Sequence, residues 1–216
     1  MDQSTLRITE IFYSLQGESS TVGHPTVFVR LTGCPLRCHY CDTEYAFYGG
    51  ERKSLSEILD KVASYKPRRV CVTGGEPLAQ KACIPLLQSL CDQGYQVSLE
   101  TAGALSVADV DPRVMKVVDF KTPASGEVKR NLYGNVEYLN LGDEVKFVIC
   151  NRQDYEWARL KIDELGLAER VDNILFSPST GQLDATELAD WILADNLPVR
   201  FQLQLHKILW SDEPGH

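Results

Sequence analysis

Three cysteines fall within eight positions of the stretch TGCPLRCHYCDTEYAF, residues 32–47, at Cys34, Cys38 and Cys41. Thiolates are soft ligands that suit zinc or iron-sulfur centres. A structural zinc site closes its tetrahedron with four protein ligands, usually two pairs from separate places in a chain. Here the three thiols come from one loop, and His39 is the neighbour that can complete a Cys3His set, although it stands beside Cys38 and both must then reach one ion. Pro35 and Arg37 mark a polar, turn-rich loop in which core packing has little reason to gather thiols. A cubane held by three thiolates, with one iron open to a further ligand, fits the spacing better than zinc.

A second stretch, TGGEP at 73–77, follows the β-branched run RVCVT. A glycine turn between strand and helix is the plain alternative. Adjacent glycines also let a backbone approach a ligand closely, and Glu76 or free carbonyls there can accept from an ammonium group.

The elements that must position these residues alternate along the chain. TVFVRL (26–31), RVCVT (69–73), QVSLE (96–100), MKVVDF (115–120), EVKFVIC (144–150), NILFS (173–177) and VRFQLQ (199–204) read as strands, nearly continuous in apolar character as buried parallel strands are. Helices are expected between them. SLSEILDKVASY opens with Ser54 and Glu57 at capping-box spacing, ACIPLLQSLCDQ stops at Gly94, QDYEWARLKIDELG stops at Gly166, and DATELADWILADN opens with Asp184 and Glu187. Such alternation predicts right-handed βαβ units on a mainly parallel sheet, open or rolled into a partial barrel, with functional loops beyond the strand C-termini. The cysteine loop follows TVFVRL and so falls at that end. Residues 124–140 form the least regular segment. Cys71, Cys83, Cys91 and Cys150 lie among apolar neighbours and read as small core residues.

The 216 residues suffice for one domain with a sizeable core, and 1–216 is expected to be a single domain. A net charge of -8 argues against a nucleic-acid or anionic-membrane footprint and favours a small-molecule substrate. The polar start MDQSTLRITE lacks a signal-peptide layout and no apolar run approaches a bilayer span, so the expected location is cytoplasmic. In a reducing cytosol, seven cysteines with a tight cluster favour metal or catalytic chemistry over disulfides.

The C-x3-C-x2-C spacing, with Tyr40 just before the last cysteine, resembles the signature of radical S-adenosylmethionine (SAM) enzymes, and TGGEP resembles their strand-end motif that holds the methionine amino group. Further segments narrow the likeness. SLQGES (14–19), Arg30, CDT (41–43), ETAG (100–103), DFKTP (119–123), FSPS (176–179) and QLHKILW (204–210) resemble, in order and spacing and over nearly the whole chain, 7-carboxy-7-deazaguanine synthases.

That resemblance implies a small, modified partial (β/α)6 TIM-like barrel, an α/β fold of the radical SAM type. It implies conversion of 6-carboxy-5,6,7,8-tetrahydropterin to 7-carboxy-7-deazaguanine with loss of ammonia, on the way to queuosine-type 7-deazapurines. A 5'-deoxyadenosyl radical takes hydrogen from substrate C6, and SAM is regenerated. On the same resemblance, Cys34, Cys38 and Cys41 are expected to hold a [4Fe-4S] cluster. Tyr40, Gly75, Gly103, Asp119, Phe120, Lys121, Phe176, Ser177, Pro178 and Ser179 match SAM-binding positions. Leu15, Gln16, Gly17, Arg30, Thr73 and His206 match substrate positions, and Thr43 matches a magnesium ligand. An external one-electron reductant such as flavodoxin or ferredoxin and a homodimer belong to the same likeness.

The chemistry of the residue types agrees. A planar guanidinium such as that of Arg30 binds a carboxylate through two parallel hydrogen bonds, although a strand-end arginine paired with a surface acid is its plain alternative. Gln16 offers the donor and acceptor a pterin amide edge needs. Magnesium takes few protein ligands beside water and substrate oxygens, which suits the single hydroxyl of Thr43; read alone, Thr43 forms a turn with Asp42. Two departures stand out: GES replaces the commoner Gly-Glu-Gly ending, and DFK replaces Ser-Pro-Lys. A glycyl-radical activase shares the cysteine spacing without needing Gln16 and Arg30, and an electron carrier or zinc module does not need TGGEP.

Overall fold

The computed structural model describes residues 5–211 and 215. Nine strands form one sheet in the order β3-β1-β2-β4-β5-β6-β7-β8-β9. From β2 (Pro25–Leu31) through β4 (Arg69–Gly74), β5 (Gln96–Thr101), β6 (Met115–Asp119), β7 (Glu144–Ile149) and β8 (Asn173–Pro178) to the short β9 (Arg200–Phe201), every pairing is parallel. β1 (Thr5–Leu15) runs antiparallel to both β2 and β3 (Glu51–Ser54). The sheet keeps two free edges, as the expected open partial barrel requires.

Helices α1 (Leu55–Ala63), α2 (Cys83–Asp92), α3 (Arg152–Glu164) and α4 (Ala185–Ala194) cover the connections that follow β3, β4, β7 and β8. Their ends obey local chemistry. Ser54 and Glu57 form the full capping box, the Ser54 N–H donating to Glu57 Oε2 at 2.7 Å, while Asp184 accepts from the N–H groups of Thr186 and Glu187. After β5 and β6 the crossovers are loops and 3-10 turns, including Pro123–Ser125, Val128–Arg130 and Tyr133–Tyr138, in the stretch whose sequence is least regular.

Helices and strands meet in one apolar layer. Val29, Val72, Leu99, Val118 and Phe147 are buried among Leu86, Leu87, Ile162 and Leu188. Full burial of each such side chain contributes about 1.5–3 kcal/mol. Away from the site, at the N-terminal ends of the strands, Lys116 and Asp143 form a buried ion pair at 2.8 Å.

The structure corrects the sequence reading at β3, which that reading did not expect, and at both ends of the chain. The reading expects no strand before residue 26, yet β1 is the longest in the sheet. VRFQLQ shrinks to two strand residues because Gln202 turns inward to accept from the Ser19 N–H at 2.6 Å, after which α5 (Leu205–Trp210) begins.

Candidate active site

The C-terminal ends of the parallel strands surround a cavity of about 650 Å³. β2 delivers the cysteine loop to its rim. The Gly33 N–H donates to the Ala46 carbonyl at 2.8 Å, closing the loop on itself, and the Cys41 N–H donates to the Cys38 carbonyl at 3.2 Å. All three thiols are half-buried in the cavity wall. Desolvation raises the pKa of each, that of Cys38 to about 11, so thiolates there call for a bound cation. Among the described residues, no three His, Cys, Asp or Glu side chains converge on a position for a single metal ion. His39 is packed against Gly126 instead of completing a Cys3His set.

β4 ends against this loop. The Gly75 N–H donates to the Leu31 carbonyl at 3.2 Å and the Glu76 N–H to the Gly33 carbonyl at 2.8 Å. A Cβ on Gly75 would stand 2.3 Å from the Gly33 oxygen and 2.8 Å from Cys34 Cβ. Glu76 does not face the cavity. Fully buried, it accepts from Leu78 N–H at 3.0 Å, Ala102 N–H at 2.7 Å and Thr101 Oγ1 at 2.8 Å. Its carboxylate ties β4 to β5, leaving the backbone of Gly74 and Gly75 in the wall.

A charge network lies deeper. Lys146 Nζ stands 2.6 Å from Glu18 Oε2, 3.5 Å from Asp119 Oδ2 and 3.8 Å from Glu100 Oε2. Lys121 Nζ stands 3.0 Å from the same Asp119 oxygen and 5.7 Å from the centre of the Tyr40 ring. Burial pushes the Glu100 carboxyl up to about 8 against the pull of Lys146. Burial opposes charging of Lys146 too, but Glu18, Asp119 and Glu100 hold its pKa well above the usual value. Among the described residues, Glu100 Oε1, Asp119 Oδ1 and Tyr40 Oη are buried without a hydrogen-bond partner. Three orphaned polar atoms beside one cavity fit a polar ligand, since each costs about 1–3 kcal/mol when left unmade.

The opposite wall comes from β1, β2 and the C-terminal segment. Arg30 Nε donates to Glu10 Oε1 at 2.7 Å, and Tyr45 Oη donates to the same oxygen at 2.8 Å. The Arg30 guanidinium carbon lies 5.7 Å from the ring centres of both Phe12 and Tyr45. Gln204 Nε2 donates to Glu18 Oε1 at 2.7 Å and to Asp42 Oδ2 at 3.0 Å, while Lys207 Nζ stands 3.3 Å from Asp42. The Leu205 N–H donates to the Gly17 carbonyl at 3.0 Å, and the His206 ring lies on Gly17, where a Cβ would meet Nδ1 at 2.2 Å. Thr43 Oγ1 donates to Asp42 Oδ1 at 2.9 Å, a bond between neighbouring side chains in place of the backbone turn expected from the sequence.

Cys34, Cys38, Tyr40, Cys41, Thr43, Thr73, Gly75, Asp119, Lys121, Ser177 and Ser179 thus share one cavity with Leu15, Gln16, Gly17, Arg30 and His206. Phe120 and Phe176 lie elsewhere: both side chains are fully buried in the apolar core. Gly103 sits behind the wall, in the left-handed region at φ 69° with its carbonyl accepting from the Leu132 N–H at 2.9 Å. Pro178 pairs with Ile149 at the end of β8. Cys83 and Cys91 belong to the core as expected, whereas Cys71, also buried, borders the cavity. Sequence reasoning missed Glu18, Glu100, Lys146, Asp42 and Gln204. A signal existed for Lys146, a lone cation in the apolar run EVKFVIC, because a buried charge needs a partner.

Residues 28–118 match the Radical SAM superfamily. The chain is 45% identical over 214 residues to the 7-carboxy-7-deazaguanine synthase of Chlorobaculum tepidum, covering 98% of this chain and 97% of that protein. It is 44% identical to the same-named protein of Koribacter versatilis, covering 96% of this chain and 98% of the relative. The crystal structure of QueE from Escherichia coli superposes with a TM-score of 0.76 at 27% identity, over 94% of this chain and 95% of that one.

Proposed function

Since the chain belongs to the 7-carboxy-7-deazaguanine synthase family of radical SAM enzymes, we propose that it converts 6-carboxy-5,6,7,8-tetrahydropterin to 7-carboxy-7-deazaguanine with loss of ammonia, in queuosine-type 7-deazapurine biosynthesis. The observation that carries this reading is the single cavity lined at once by the three thiols, the Gly74–Gly75 strand end, and Gln16 with Arg30. Cys34, Cys38 and Cys41 would hold a [4Fe-4S] cluster, which would supply the electron for radical chemistry on SAM; on this reading a 5'-deoxyadenosyl radical would take hydrogen from substrate C6 and SAM would be regenerated.

The chain's own residues hold and orient. Asp119 and Lys121 meet SAM from the end of β6, Ser177 and Ser179 from the end of β8, and Tyr40 from the cysteine loop. Gly103, beyond the end of β5, and Phe120, Phe176 and Pro178, at the ends of β6 and β8, act through backbone shape. Glu10 occupies Arg30 Nε, leaving the two Nη groups as the pair that grips the substrate carboxylate. Gln16 and Thr73 meet the ring system, and His206 closes the pocket over Gly17 and Leu15. Because the Thr43 hydroxyl gives its proton to Asp42, its lone pairs would be free to hold a magnesium ion.

The same reading extends to one domain over 1–216, a homodimer, a cytoplasmic setting and an external one-electron reductant. No helix among the described residues is long and apolar enough to cross a membrane. An anaerobic assay with reconstituted cluster, dithionite, SAM and 6-carboxytetrahydropterin tests the proposal. Formation of 7-carboxy-7-deazaguanine is expected; SAM cleavage without that product overturns the substrate assignment.

A further inference from the structure

Held at its first thiol by the end of β4, the cysteine loop is gripped at its middle by a second element, the turn that follows β6. β4 and β5 lie between β2 and β6 in the sheet, so the loop reaches across both of their ends to meet that turn. The His39 N–H donates to the Ser125 carbonyl at 3.0 Å, and the Arg37 N–H donates to Glu127 Oε1 at 2.6 Å. Cys38 lies between them, with the N–H of the residue on either side engaged by the same turn. The His39 ring covers Gly126, whose φ of 79° suits glycine and where a Cβ would stand 3.0 Å from the imidazole.

The turn is itself anchored. Ser125 Oγ donates to the Thr122 carbonyl at 2.6 Å and accepts from the Glu127 N–H at 3.0 Å, which fixes the backbone from which the Glu127 carboxylate projects. Against it lies Asp154, fully buried in the first turn of α3. Its Oδ1 accepts from the Ala124 N–H at 3.0 Å. Its Oδ2 accepts from the Cys150 N–H at 3.1 Å and stands 3.1 Å from Thr122 Oγ1, which also donates to the Val148 carbonyl at 2.9 Å. A buried carboxylate is costly unless donors surround it, and here they come from the turn and from just past the end of β7. The start of a helix is also where a negative charge is best placed. Ser125, Glu127 and Asp154 do not line the cavity, so their role is not contact with a ligand.

We infer that Glu127 and Asp154 are positioning residues for the cluster thiols, acting through the 122–127 turn. The inference rests on the reading of Cys34, Cys38 and Cys41 as cluster ligands. The loop is then moulded from two sides: the end of β4 fixes Cys34, through Gly75 and the Glu76 N–H, and the turn fixes Cys38. Both anchorages are needed where all the ligands come from one loop. Such a loop has no regular ladder to hold it, and a segment free to open would release a bound cluster one thiol at a time. Hydrogen bonds made behind metal ligands supply that rigidity in metal sites generally. The clamp also gives the irregular stretch after β6 a purpose, since a helix beginning at Thr122 would engage the Ser125 carbonyl in its own ladder and leave the loop without it.

Amide hydrogen exchange in the cluster-free chain reads the clamp directly, and the rate at which a chelator strips iron from the reconstituted enzyme reads its purpose. Glu127→Ala should speed exchange across residues 36–40 about tenfold, as expected for a lost hydrogen bond to a charged group, with the melting temperature of the cluster-free chain unchanged. Iron loss should quicken by the same factor. Glu127→Gln, which keeps an acceptor for the Arg37 N–H, should restore most of the protection. Asp154→Asn leaves one acceptor oxygen where there were two and should loosen the same residues, with a lower melting temperature of its own. Glu57→Ala, which breaks the capping box of α1, is the control for a merely structural loss: it should lower the melting temperature and leave loop exchange and iron loss alone. The inference is overturned by unchanged loop exchange in Glu127→Ala, by faster exchange with unchanged iron loss, or by an equal quickening of iron loss in Glu57→Ala. Failure of the unmodified chain to take up a cluster would instead refute the proposed function, and the exchange of its loop would still decide the clamp.

Discussion

Lys146 on β7 and Glu18 in the loop that follows β1 meet at 2.6 Å inside the cavity, 128 positions apart in the chain. Glu18 continues through Gln204 to the C-terminal segment, so the pair couples the floor of the cavity to its cover. Lys146→Met removes the cation shared by Glu18, Glu100 and Asp119. Breaking a buried pair from one side costs about 3–5 kcal/mol. Urea denaturation at neutral pH should register that loss, and a change below about 1 kcal/mol would show the network to be solvated like a surface pair.

Glu100 should leave a mark on stability against pH. Burial raises its folded-state pKa to about 8, well above the unfolded value of about 4.3. The folded state then binds more protons than the unfolded state between those values, so stability falls as pH rises from about 4.3 to 8 and levels off above. Glu100→Gln should abolish that decline and be the more stable protein at the alkaline end. Parallel stability curves for the two proteins across that range would contradict the assignment.

Gly17 and His206 offer a test of the cover. Gly17→Ala puts a methyl group against the imidazole, where the available separation is 2.2 Å, and should displace α5 and raise KM for the pterin. His206→Ala in the same chain removes the clash. The double variant should therefore recover part of the loss, so the two changes will not be additive. Additive losses would place the effect of Gly17 elsewhere.

Arg30→Ala should raise KM for the pterin about tenfold to a hundredfold, from the loss of charge-assisted hydrogen bonds of about 1.5–3 kcal/mol. Arg30→Lys should recover little of this, because an ammonium lacks the paired donors. Glu10→Gln should have a smaller effect in the same direction by loosening Nε. An unaltered KM in Arg30→Ala would restore the plain reading of this arginine as the partner of Glu10.

The cysteine loop, the glycine strand end and the six long parallel strands were legible because each is local: ligand spacing, turn chemistry and a continuous apolar run. β1 was not. Its burial alternates only over Thr5–Ile8 and beyond that is intermediate apart from the exposed Tyr13, so the pattern of a covered parallel strand is missing. VRFQLQ has the β propensity of a strand, but the hydrogen bond between Gln202 and Ser19 outweighs it. The network is harder still to read. Glu18 and Gln204 meet across 186 positions, and no window of neighbouring residues carries that contact. Glu76 was misplaced for the opposite reason: its motif marks the right strand end, but Thr101 and Ala102, which engage its carboxylate, lie at and just beyond the end of the next strand.

The close fit of Gly75 against Gly33 and Cys34 has a consequence for protein engineering. With a 2.3 Å gap where a methyl group would go, the cysteine loop and the neighbouring strand end are mating parts cut to one tolerance. Grafting C-x3-C-x2-C alone onto another barrel transfers the thiols without the surface that sets their height above the sheet. A functional transplant has to move both segments as one cassette.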